Sequence, residues 1–152
     1  MHGMVNIAVR AARRAGELMI RQLNRLESLE ITEKNRNEYV TEVDRIAEDA
    51  IIEVIYDHYP DHSILAEESG QRGSNEFQWI IDPLDGTKEF VNKNGEFTVN
   101  VAIIEHGRPV MGVVYAPAKN RLFVAESHNS AWQATAEPGG ELPTVRKALK
   151  IR

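Results

Sequence analysis

The chain has 152 residues and a formal net charge of −5, with 42% hydrophobic and 27% charged residues, 10 Gly, 6 Pro and no Cys. That profile fits one soluble globular domain large enough for a core of its own, and excludes disordered, collagen-like and disulfide-scaffold classes. The acidic balance argues against wrapping a nucleic acid, and the missing Cys removes disulfides, thiolate zinc sites and cysteine nucleophiles together.

Val5, Ala8, Ala12, Ala15, Met19, Leu23 and Leu26 recur every three or four positions, predicting an amphipathic first helix. Arg10, Arg13, Arg14, Glu17 and Arg21 fill its other positions and read as a solvated face. The polar segment Thr32 to Glu38 reads as a connection, and Thr41 with Asp44 as a capping-box-like start of a second helix. Val43, Ile46, Ala47, Ala50, Ile51, Val54 and Ile55 give that helix its buried stripe, and Tyr59-Pro60 stops it.

Short apolar runs then predict strands at Ile64 to Ala66, Trp79 to Ile81, Phe97 to Ile104, Val110 to Tyr115 and Leu122 to Ala125. Glu105-His-Gly-Arg108 is a hairpin-like turn, so local pairing is expected to be antiparallel. Helices first and strands later predict an α+β fold, a helix pair packed on a mostly antiparallel sheet. The fold is expected to fill residues 1–132, with 133–152 as linker and tail. No stretch approaches the ~20 apolar residues of a membrane span, and the amino terminus reads as neither signal peptide nor anchor, so the expected compartment is the cytoplasm.

Asp82-Pro-Leu-Asp85-Gly-Thr87 follows the apolar run Trp79-Ile-Ile81. Proline and glycine are expected to end that strand and leave Asp82 and Asp85 close enough to share a hard cation such as Mg²⁺. Gly86 and Thr87 would offer amides to a phosphate, with a short helix from Lys88 to Val91. Glu67-Glu68 ends another strand, and Lys34 with Val40-Thr41 and Asp44 flanks the expected helix start. Singly, these are a common turn, a solvated acidic pair and a helix cap. The five histidines show no metal-ligand spacing and read as surface or turn residues; Trp79 and Trp132 read as core.

Together, Lys34, Val40-Thr-Glu-Val-Asp44, Glu67-Glu-Ser-Gly70 and Trp79-Ile-Ile-Asp-Pro-Leu-Asp-Gly-Thr-Lys-Glu-Phe90 resemble the inositol monophosphatase superfamily of Mg²⁺-dependent, lithium-sensitive phosphatases. Residues 1 to about 70 resemble the bacterial extragenic-suppressor type of inositol-1-monophosphatase. From Asp85 to Trp132 the chain resembles bacterial 3′(2′),5′-bisphosphate nucleotidases, with Lys88-Glu89 where the inositol enzymes typically carry Thr-Asn. A natural mosaic and a recombinant or ancestral-type chain are both compatible with this pattern.

The resemblance implies the amino-terminal domain of that fold. Glu67, Asp82 and the Leu84 carbonyl would hold one Mg²⁺, and Asp82 with Asp85 a second. Thr87, oriented by Asp44, would activate water, while Asp85, Gly86 and Thr87 would bind the phosphate and Glu68 would support from behind. Glu38 stands where the family usually has aspartate. The family continues into an αβ domain with a Trp-Asp-x-Ala-Ala motif; nothing like it follows Trp132. The expectation is therefore the amino-terminal half alone, with that domain absent, weakened activity and a face open to self-association. The substrate expected is a small phosphate ester, a nucleotide bisphosphate or an inositol phosphate, with no membrane partner. The alternative is a non-catalytic interaction module associated with transcription machinery.

Overall fold

The computed structural model of the chain describes residues 2–28, 33–86, 90, 95–127, 130–139, 143 and 145–149. Helix α1 (His2–Ser28) and helix α2 (Glu33–His58) pack against each other on one face of a single sheet. The second helix begins well before Thr41. Glu33-Lys-Asn-Arg-Asn-Glu38 contains no Gly or Pro to interrupt it and includes good helix formers, so the expected connection is largely helical and Thr41 and Asp44 are interior residues, not a cap. Pro60 does end the helix, as its missing amide requires.

The strands are β1 (Ser63–Ala66), β2 (Gly70–Arg72), β3 (Phe77–Asp85), β4 (Thr98–Glu105), β5 (Arg108–Ala116), β6 (Arg121–Ser127), β7 (Ser130–Thr135) and β8 (Lys147–Ala148). Their order across the sheet is β2-β1-β3-β4-β5-β6-β7-β8, and among the described residues every pairing is antiparallel except β1 with β3. The expected helix pair on a mostly antiparallel sheet is what forms. His106 (φ 49°) and Gly107 (φ 78°) make the two-residue turn between β4 and β5, both in the left-handed region a right-twisting hairpin demands.

β3 does not stop at Pro83. It continues to Asp85, with a register irregularity between Asp82 and Asp85 where proline has no amide for the ladder. At the other end, β7 runs three residues past Trp132, and the segment after it is tied to α1. The Tyr115 hydroxyl donates to the Ala136 carbonyl at 2.8 Å, Arg13 Nε donates to the Glu137 carbonyl at 2.9 Å, and the Gly139 amide donates to the Arg13 carbonyl at 3.0 Å. Arg13 is thus buried, not part of a solvated face. Arg14 and Arg21 stay outside and pair with Glu17 at 3.2 and 2.6 Å.

α1 lies over β4 and β5, and α2 over β3. The close approach of α1 depends on small side chains: a Cβ on Gly16 would fall 2.5 Å from Tyr115 Cε2. Between the layers sit Met19, Ile51, Ile55, Trp79, Phe97 and Tyr115, all fully buried. Trp79 and Trp132 are core residues, each with its indole N–H satisfied, Trp79 by His62 Nδ1 at 3.0 Å and Trp132 by Glu126 Oε2 at 2.7 Å. His62 is accordingly not a free surface residue; it stacks between Tyr59 and Phe77, and burial pushes its pKa down. Among the described residues no helix is long and apolar enough to cross a membrane.

Candidate metal centre

Three elements bring carboxylates together. α2 supplies Asp44 and, one turn later on the same face, Glu48; the turn after β1 supplies Glu67 and Glu68; β3 supplies Asp82. One oxygen from each of Asp44, Glu67 and Glu68 lies within 4.8 Å of the others. Glu67 is hydrogen-bonded to Asp82, which links the β1 turn to β3. Parallel pairing of β1 with β3 explains the convergence, because Ala66 opposite Ile81 brings both strands to the same end at adjacent positions.

Glu48 has a different task. It is 1% exposed, and its two carboxylate oxygens accept the Glu68 amide at 2.8 Å and the Ser69 amide at 3.1 Å. It therefore fixes the turn that presents Glu67 and Glu68. Sequence reasoning missed it, although its place four residues after Asp44, within the buried stripe of α2, was a signal. A charged residue at an apolar-stripe position needs a partner.

The electrostatics are those of an uncompensated acidic cluster. Asp44 is pushed up to about 7, first by burial and then by Glu67, Glu68, Asp82 and Glu48. Glu67 is also pushed up to about 7, chiefly by its hydrogen bond with Asp82, then by burial and the surrounding carboxylates. The charged neighbours acting on both are all acids. Asp44 Oδ1 and Asp82 Oδ1 are buried without a hydrogen-bond partner. Such a cluster must take up protons or a cation, and an all-oxygen donor set suits a hard divalent ion. The residues present fit Mg²⁺.

Of the expected site residues, Asp44, Glu67 and Asp82 converge. Glu68 joins them directly, where it was expected only as a supporting acid. Asp85 is exposed at the end of β3 and is not among the clustered groups, and the Leu84 side chain is buried in the core. Gly86 has φ 89°, a conformation that favours glycine, and its carbonyl accepts the Phe90 amide at 2.9 Å. Thr87, Lys88 and Glu89 lie outside the described residues, as does most of the expected short helix; the same holds for the side chain of Lys34.

Comparison with known proteins agrees with this geometry. Residues 1–150 match the inositol monophosphatase family. The chain belongs to that family. It is 49% identical over 127 residues to the Nus factor SuhB of Pasteurella multocida, covering 82% of this chain and 48% of that protein. The crystal structure of the extragenic suppressor protein SuhB from Bartonella henselae superposes with a TM-score of 0.76 at 31% identity, covering 89% of this chain and 52% of that one. CysQ from Bacteroides thetaiotaomicron, described as a bacterial member of the inositol monophosphatase family, gives 0.70 at 34% identity over 91% and 51%. The chain spans about half the length of the curated relatives it matches. As an inositol monophosphatase family member it carries its acidic centre just after β1, beside Asp82 of β3 and Asp44 of α2.

Proposed function

We propose that this chain is the metal-holding half of a Mg²⁺-dependent, lithium-sensitive phosphomonoesterase acting on a small phosphate ester. The supporting observation is the convergence of Asp44, Glu67, Glu68 and Asp82 with two buried oxygens unpartnered. Glu67, Asp82 and the Leu84 carbonyl would hold one ion, and Asp82 with Asp85 a second. Bound Mg²⁺ supplies Lewis-acid polarisation of the phosphoryl oxygens and lowers the pKa of bound water. Asp44 would accept a proton and orient Thr87, and Gly86 and Thr87 would offer backbone amides to the phosphate. Glu48 positions the Glu67-Glu68 turn through its two amide bonds.

Lys88-Glu89 favours a nucleotide bisphosphate, and the first 70 residues favour an inositol phosphate. Phosphate release from 3′-phosphoadenosine 5′-phosphate and inositol-1-phosphate, measured side by side with Mg²⁺ and with and without lithium, tests the proposal. Lithium-sensitive release from either is expected; none from both contradicts catalysis by this chain.

The compartment is taken as the cytoplasm; the segment after Trp132, expected as a tail, carries the end of β7 and β8 and so belongs to the sheet. A second copy of the chain is the proposed cover for the sheet face opposite the helices, where Leu65, Ile80, Val114 and Phe123 are exposed. The second functional reading, a non-catalytic contact with transcription machinery, is favoured by the Nus factor name of the SuhB relatives. Capture of purified transcription components that survives Asp82→Asn and Asp85→Asn would favour it over catalysis.

A further inference from the structure

At the end of β1 and β3 away from the acidic centre, one imidazole joins three elements. His62 lies between the end of α2 and the start of β1, and its amide donates to the Tyr59 carbonyl at 3.2 Å. Its ring stacks on Tyr59, with centroids 4.6 Å apart, and on Phe77 of β3 at 4.9 Å. Its Nδ1 accepts the Trp79 indole N–H at 3.0 Å. One residue on, Ser63 Oγ donates to the Phe77 carbonyl at 3.2 Å, so side-chain bonds from consecutive residues pin the start of β1 to β3. The two strands are parallel, with Ser63 opposite Gln78 and Ala66 opposite Ile81. The register set here therefore decides, about 10 Å further along, whether Glu67 comes beside Asp82.

The Trp79 bond fixes the protonation state of this imidazole. An indole N–H only donates, so Nδ1 must offer a lone pair, and the proton of the neutral ring sits on Nε2. A second proton would set two N–H groups against each other, and the bond would have to open. Trp79 is fully buried, so its indole N–H could not turn to water instead. The flanking Tyr59 and Phe77 rings, by contrast, can hold an imidazolium against their faces. Protonation thus breaks one bond and leaves the stack. Among the described residues, the charged groups acting on His62 are Asp61 beside it and Glu76 ahead of β3, the latter paired with His106 Nε2 at 2.7 Å. Both favour the proton, but burial opposes them and prevails, holding the pKa below the usual 6.5.

We infer that His62 is a positioning residue for the acidic centre and a latch that a proton releases: neutral, it fixes β1 against β3 and so Glu67 against Asp82; protonated, it lets go of Trp79 and slackens that pair. The effect on Mg²⁺ rests on the reading of Asp44, Glu67, Glu68 and Asp82 as a cation centre, whereas the latch rests on the Trp79 bond alone.

The indole N–H of Trp79 reports the latch directly. In ¹H–¹⁵N spectra recorded in EDTA, its signal, assigned as the one that survives in Trp132→Phe, is expected to shift between pH 8 and pH 5 with a midpoint below 6.5. His62→Asn offers an amide oxygen in place of Nδ1 and cannot take the proton, so it should keep the signal of the bonded indole and lose that step. His62→Phe keeps an aromatic ring but has no acceptor, so the bonded signal should be missing at every pH. In calorimetric titration at pH 7.5, His62→Phe should bind Mg²⁺ about tenfold more weakly than the parent, and His62→Asn within about twofold of it. An indole signal that stays fixed between pH 8 and pH 5, one that moves alike in His62→Asn and the parent, or a folded His62→Phe protein that binds Mg²⁺ as tightly as the parent overturns the inference. A parent chain that binds no Mg²⁺ overturns the positioning role together with the cation reading, while the spectra decide the latch by themselves.

Discussion

The two helices lie on the same face of the sheet, yet their buried sides differ in kind. α1 meets β4 and β5 with Ala8, Ala12, Ala15 and Gly16, and its one buried charge, Arg13, donates to the Glu137 carbonyl. α2 meets β3 with Val43, Ala47 and Ile51, but sets Asp44 and Glu48 among them. The first surface is built for close approach and has its polar group satisfied. The second leaves an Asp44 oxygen unpartnered beside other acids, a stability cost that a packing role does not explain. Amphipathic helices of similar length can thus differ in purpose, and the difference lies in what interrupts the apolar stripe.

The contrast is broken most sharply on the α1 side. Gly16→Val places new atoms against the Tyr115 ring and, at 3.0 Å, against Pro117 Cβ, so a loss of about 3 kcal/mol is expected in urea unfolding. On the α2 side, Glu48→Ala removes the acceptor of the Glu68 and Ser69 amides. At pH 5, where Asp44 and Glu67 are largely protonated and relief of repulsion is small, it should cost about 2 kcal/mol in the same assay.

Asp44→Asn should act in the opposite sense. With EDTA at pH 8 it replaces an uncompensated buried carboxylate by a neutral group and should raise stability by about 1 kcal/mol, while weakening Mg²⁺ binding. The pH dependence follows the same logic. Asp44 and Glu67 rise from 3.8 and 4.5 to about 7 on folding, so the folded chain holds more protons than the unfolded one between those limits. The metal-free protein should therefore lose stability as pH rises from about 4 to about 7 and level off above it; thermal melts in EDTA across that range check the sign. The smallest effect is expected on the open face: Val114→Lys should change stability by less than about 0.5 kcal/mol but reduce self-association in light scattering.

Much of this architecture was legible in local pattern. The α1 stripe, five of the eight described strands and the His106-Gly107 turn follow from periodicity and from the left-handed conformations that turn needs, whereas β2, β7 and β8 are too short or too polar to stand out as apolar runs. The start of α2 did not, because a capping pattern at Thr41 and Asp44 is indistinguishable in sequence from helix interior. Of the site, Glu67 and Asp82 were visible as acids at strand ends. Their direct pairing was not, since it depends on the parallel register of β1 against β3, a non-local fact. Glu48 and Arg13 escaped for one reason: a charged side chain is read as solvated until its buried partner is seen.

The central claim is that the acids of α2, β1 and β3 form a hard-cation centre. It is tested most directly by calorimetric titration of Mg²⁺ into the chain at pH 8, beside Asp82→Asn. Saturable binding that is lost or at least tenfold weaker in the variant is the predicted result. Absence of binding to the parent chain, or equal binding to both, would contradict it.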